Sequence, residues 1–123
     1  MIEGFGVDLA DVARIQGALR QKGFESRVFG KPEIAYCRSA KGLRIYERFA
    51  ARFAAKEAFV KACGGLFPGF RFRDVCVKNN RGGRPRLCCR VPRSGMSKAV
   101  FISRFHILPK VPWPLSSLKR ILK

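Results

Sequence analysis

The sequence predicts an α+β fold, a small antiparallel sheet packed with a long central helix, and three stretches carry that expectation. The chain opens on IEGFGVD, which alternates as a strand does. Its middle, YERFAARFAAKEAFVKA, has helical periodicity and ends on a glycine pair. Then FRFRDVCVKN alternates strictly and runs into the turn-forming NNRGGRP.

Each element follows from local chemistry. In the first strand Phe5 and Val7 share one face, while Ile2, Gly4, Gly6 and Asp8 share the other. Glycines beside a strand-end aspartate let another backbone or a ligand approach closely. From Ala10 to about Lys22, Val12, Ile15 and Leu19 recur at helical spacing, with Asp8 or Asp11 as the cap and Gly23 as the stop. Pro32 suits the first turn of a second helix, KPEIAYCRSA, with Glu33 near its positive end. The long helix spans Tyr46 to Ala62, with Phe49, Phe53 and Val60 on its core stripe. Glu57 and Lys61 are i, i+4 neighbours beside that stripe, and Ala50 and Ala54 leave a shallow groove on the same side. A carboxylate and an ammonium so placed read first as an ordinary solvated ion pair. After Pro68 the strand sets Phe70, Phe72, Val75 and Val77 against Arg71, Arg73 and Lys78, with a bend near Asp74.

Composition narrows the class. A chain of 123 residues, 47% of them hydrophobic, has the length of one domain and the means to fill a core. No stretch approaches the ~20 apolar residues of a membrane span. Acids at the start of the chain argue against a secretory leader. Five cysteines (Cys37, Cys63, Cys76, Cys88 and Cys89) show no CxxC spacing, and with one histidine they suggest neither zinc nor a disulfide framework. The expected setting is reduced and cytoplasmic, with no membrane association. Cys63 reads as a small core residue.

The net charge of +18 is unevenly spread. All 8 acids lie in residues 1–87, beside 18 of the 26 basic residues; residues 88–123 carry 8 basic residues and no acid. Such a charge attracts phosphates or an acidic protein surface.

GFGVDLADVARI, then ERFAARFAAKEAFVKA, then FRFRDVCVKNNRGGRPRL together resemble the bacterial holo-[acyl-carrier-protein] synthase family of small 4′-phosphopantetheinyl transferases. The resemblance covers residues 1–87 nearly continuously. It implies a cytoplasmic, Mg²⁺-dependent enzyme of fatty acid biosynthesis that moves phosphopantetheine from coenzyme A to a serine of apo acyl carrier protein. It also implies a homotrimer with active sites between protomers. Matched by position, Asp8 and Glu57 are the metal carboxylates, and Mg²⁺ suits them as a hard cation that takes one or two carboxylates. Lys61 matches a lysine near the phosphates and the attacking serine, with an electrostatic role. Arg52 and the Gly64–Gly65 turn match coenzyme A contacts, as do Gly83, Arg84 and Pro85. Arg14 matches a position that meets the acidic carrier protein.

The tail departs from the family. Its last strand, with a Ser-Leu-Ser-His segment before it and acids after it, is replaced here by SRFHILPKVPWPLSSLKRILK. One domain over 1–123 is expected, family-like to 87 and divergent over 88–123. Codons for the residues after Leu87, read one base earlier, permit the family's Leu-x-Gly-x-Ala pattern, and those for Pro109 to Arg120 permit an apolar strand with an acidic end. The hypothesis is a shifted reading frame. Two further readings compete with an active transferase. One is a small basic nucleic-acid-binding module, for which the charge and the FRFR interleaving speak. The other is an inactive transferase remnant. The paired carboxylates favour the transferase, because nucleic-acid binding gives them no role.

Overall fold

The structure, a computed structural model, describes residues 4–66 and 68–89. Four helices precede one hairpin: α1 (Val12–Leu19), α2 (Phe24–Val28), α3 (Lys31–Arg38) and α4 (Arg44–Ala62), then β1 (Val75–Asn79) and β2 (Pro85–Cys89). The strands pair antiparallel, with Val77 opposite Leu87 and Asn79 opposite Pro85. The α+β expectation holds. The second strand of the hairpin continues through Cys88 and Cys89.

The core lies between α4 and the shorter helices. Ile15 and Ala18 of α1, Phe24, Val28 and Phe29 around α2, and Cys37 of α3 close on Phe49, Ala50 and Phe53 of α4. Phe29 meets Phe49 edge to face at 4.8 Å between ring centroids, a favourable aromatic geometry. Ala50 and Ala54, expected to leave a shallow groove, are both buried, and Ala50 packs in the same cluster as Ile15 and Ala18 of α1. Burial pushes the Cys37 thiol up to about 11, so this sulfur is core packing. Cys63, by contrast, is only half-buried at the end of α4 rather than a core residue.

Local signals set most boundaries. Asp11 caps α1, its Oδ1 accepting from the Arg14 amide at 3.1 Å. Gly65 N–H donates to the Val60 carbonyl at 2.9 Å, and Gly64 adopts φ 79°; together they close α4 with a left-handed glycine turn. Besides the opening segment, where no strand forms among the described residues, two elements differ from expectation. Residues 24–28 form a helix of their own after Gly23 turns the chain at φ 81°. The strand expected from Phe70 starts only at Val75, because Phe72–Asp74 makes a 3₁₀ turn.

The largest surprise in the core is charged. Lys56 and Glu33 are both fully buried and form an ion pair of 2.8 Å. Lys56 Nζ also donates to the carbonyls of Phe72 and Val75, while Glu33 accepts from the amides of Gly30 and Val77, each at 2.8 Å. Burial pushes Lys56 below the usual lysine range against the pull of Glu33. The sequence places Glu33 in the first turn of its helix, and it is indeed the third residue of α3. Glu33 and Lys56 tie α3, α4 and β1 together with every charge satisfied.

Candidate active site

The chain's first described residues run along α4 without pairing in a sheet. Gly4 and Gly6 face the helix so closely that a Cβ at either would collide with the carbonyl oxygen of Ala62 or Ala58. Phe5 and Val7 point away and are 81% and 60% exposed. The expected alternation is thus correct in its faces, and the glycines do admit another backbone. No ladder bond forms in residues 4–8 among the described residues.

This close approach delivers Asp8 to the C-terminal half of α4. Lys61 Nζ donates to Asp8 Oδ1 at 2.5 Å and to the Val7 carbonyl at 3.2 Å. One turn earlier on the same face lies Glu57, whose Oε1 is buried with no hydrogen-bond partner among the described residues. Burial raises the Glu57 carboxyl above the usual carboxylate range, the Asp8 charge raises it further, and Lys61 partly opposes both. A half-buried carboxyl with an orphan oxygen, held near a second carboxylate, has the oxygen donors to meet a cation. Hard oxygen donors of this kind fit Mg²⁺ with water and phosphate completing its shell. Among the described residues no group of three or more His, Cys, Asp or Glu gathers. Gly64 and Gly65 (φ 79° and 121°) turn the chain immediately after this corner.

Arg52 stands elsewhere. Five residues before Glu57, it lies about 140° away around α4. It is only 5% exposed, makes no ion pair among the described residues, and leaves its Nε without a partner. Its guanidinium lies over the Tyr36 ring at 4.1 Å and donates to Asn79 Oδ1 at 3.1 Å. Asn79 in turn donates to the Gly83 carbonyl at 3.3 Å, within the β1–β2 turn where Gly83 adopts φ 75°. Arg52 and Pro85 line one groove of about 340 Å³ with Tyr36, Arg44, Arg48 and Asn79; Glu47 is its single acid. The Arg84 backbone amide, in the same turn, donates to Asn80 Oδ1 at 2.9 Å. The sequence-derived residues thus sort into two places, Asp8–Glu57–Lys61 with Gly64–Gly65, and Arg52 with Gly83–Pro85. Arg14 joins neither, and its Nη2 is buried without a partner on α1. Tyr36, Arg48 and Asn79 were missed. The i, i+4 row of Arg44, Arg48 and Arg52 was the signal that would have found the groove.

A family model for the 4′-phosphopantetheinyl transferase superfamily matches residues 4–106. The holo-[acyl-carrier-protein] synthase of Solibacter usitatus is 48% identical over 90 residues, 71% of this chain and 70% of that protein. Its counterpart from Halothermothrix orenii is 36% identical over 109 residues, 87% and 86% of the two chains. Among solved structures, a holo-(acyl-carrier-protein) synthase from Bacillus anthracis in complex with CoA (3′,5′-ADP) superposes with a TM-score of 0.66 at 37% identity, covering 74% of this chain and 78% of that one. The Neisseria meningitidis holo-[acyl-carrier-protein] synthase gives 0.62 at 30% identity, covering 72% of each.

Proposed function

The chain belongs to the 4′-phosphopantetheinyl transferase superfamily, and we propose that it moves 4′-phosphopantetheine from coenzyme A to a serine of apo acyl carrier protein. The observation that carries this reading is the buried, unpartnered Glu57 Oε1 beside Asp8. The serine oxygen attacks phosphorus in the coenzyme A pyrophosphate, the bond to the bridging oxygen breaks, the hydroxyl proton is lost, and 3′,5′-ADP leaves. Asp8 and Glu57 would hold Mg²⁺, which would supply positive charge to the phosphates as negative charge develops on them. Lys61 holds Asp8 in place and adds a positive charge at the same corner. Gly64 and Gly65 give the substrate a close backbone approach where the helix ends.

Arg52, a buried cation with no carboxylate partner among the described residues, takes an anionic group of coenzyme A in the groove that Pro85 lines, beside the turn that carries Gly83 and Arg84. The groove and the carboxylate corner lie on different sides of α4. That separation fits a coenzyme A site shared between copies, as in the homotrimer we assign. Arg14 meets the acidic carrier protein. The cytoplasm and fatty acid biosynthesis are the setting we assign. No helix among the described residues is long and apolar enough to cross a membrane.

Residues 1–123 form one domain on this reading. The segment that stands in place of the family's last strand lies outside the described residues, and the shifted-frame hypothesis is decided by resequencing the coding DNA: one clean frame with no family-like alternative removes it. The test of function is transfer of labelled phosphopantetheine to apo carrier protein with and without Mg²⁺. Mg²⁺-dependent label on the carrier serine supports the transferase. A folded protein that transfers nothing is the inactive remnant, and salt-sensitive nucleic-acid binding without transfer favours the basic-module reading.

A further inference from the structure

The groove contains an aromatic ring with an unusual charge environment. Arg48 and Arg52 are i, i+4 neighbours on α4, an arrangement in which like charges repel. Both guanidiniums nonetheless lie over the same Tyr36 ring, at 4.3 and 4.1 Å from its centroid. The negative face of an aromatic ring attracts each cation, which offsets their repulsion without neutralising either. A carboxylate there would have consumed the charge.

The rest of the geometry fixes the ring. Arg48 donates to the Tyr36 carbonyl at 2.7 Å and to Ser39 Oγ at 3.0 Å, locking it to the end of α3. The Tyr36 hydroxyl accepts from Asn79 Nδ2 at 3.1 Å, and the Asn79 oxygen accepts from Arg52. Ring, amide and guanidinium therefore close a loop that joins α3, α4 and the hairpin. Within it Arg52 Nε stays unpartnered.

We propose that Tyr36 is a positioning residue for the anion-binding groove, its ring holding the Arg48 and Arg52 guanidiniums charged and aimed at a phosphate group of coenzyme A. The proposal rests on the assignment of Arg52 to coenzyme A binding. Tyr36 acts through the arginines and takes no part in the reacting atoms. Its effect falls on coenzyme A affinity, with the turnover of bound substrate left alone.

The test compares Tyr36→Leu, Tyr36→Phe and Arg52→Gln in the full chain, by steady-state transfer and by calorimetric titration with 3′,5′-ADP. Tyr36→Leu is expected to raise KM for coenzyme A and Kd for 3′,5′-ADP about tenfold, a loss on the scale of the cation–π contacts. The kcat and the KM for apo carrier protein should stay within about twofold, and Tyr36→Phe, which keeps the ring, should bind within about threefold of the unmodified protein. An unchanged coenzyme A KM in Tyr36→Leu, beside a weakened Arg52→Gln, overturns the role of Tyr36 and leaves the groove assignment standing. An unchanged KM in both variants overturns both. Loss in Tyr36→Leu that falls equally on kcat and on both substrates' KM, as a damaged fold gives, also counts against positioning.

Discussion

Lys61 and Asp8 meet at 2.5 Å across 53 residues of sequence, and this contact joins the chain's opening segment to its central helix. The Lys61 side chain is about half exposed, so the ion pair adds little to stability by itself. Its weight is in placement. Holding Asp8 against α4 is what brings the first carboxylate to the second.

Removing either carboxylate should abolish Mg²⁺-dependent transfer. Asp8→Asn and Glu57→Gln are each expected to cost about 10²-fold or more in rate, with circular dichroism unchanged. Near-normal transfer by either variant at millimolar Mg²⁺ would refute the metal assignment.

Glu57 should make the metal-free protein less stable as pH rises. Its folded-state carboxyl is raised by burial and by Asp8, so the folded protein holds that proton more tightly than the unfolded chain. Stability from this group is present below the ordinary glutamate range and is lost as pH climbs through the raised value. Thermal melts without metal should therefore show Glu57→Gln gaining on the unmodified protein between pH 4 and 8. Added Mg²⁺ should stabilise the unmodified protein and leave Glu57→Gln where it was. A Glu57→Gln protein that melts progressively lower than its parent as pH rises contradicts this.

The two lysines of α4 should fail in different ways. Lys61→Ala is expected to lower transfer with a small change in melting temperature, because its side chain is half exposed. Lys56→Ala strands a buried carboxylate and should cost about 3–5 kcal/mol of stability. The paired replacement of Glu33 and Lys56 by Gln and Met should recover part of that loss. Similar melting temperatures for Lys56→Ala and Lys61→Ala would mean the buried pair matters less than its geometry implies.

Glycine positions separate close approach from free space. Gly6→Ala pushes a methyl into the Ala58 carbonyl and must lift the 4–8 segment off α4, carrying Asp8 from Lys61. Lost transfer and a lowered melting temperature are expected together. Gly17→Ala meets nothing within 4 Å on α1 and should stabilise the helix by up to about 1 kcal/mol. Equal melts for the two variants would remove the argument for contact.

The sequence by itself determined the long helix, its glycine stop, the hairpin turn and the Asp8–Glu57–Lys61 set. Those features are written in short-range periodicity, in residues that tolerate left-handed backbone, and in residue types that matched a family. It also determined which face of the opening segment approaches another backbone, since only glycine admits such contact. Tertiary structure decided the rest. Glu33 and Lys56 look like surface charges in any local window, and they become a core ion pair only when α3 and β1 close over α4. Arg52 was legible as a residue but not as a place, because the groove needs Tyr36 from α3 and Asn79 from β1 beside it. Helical spacing records which residues of one helix share a face, whereas burial depends on what packs against that face, and no short window of sequence contains both.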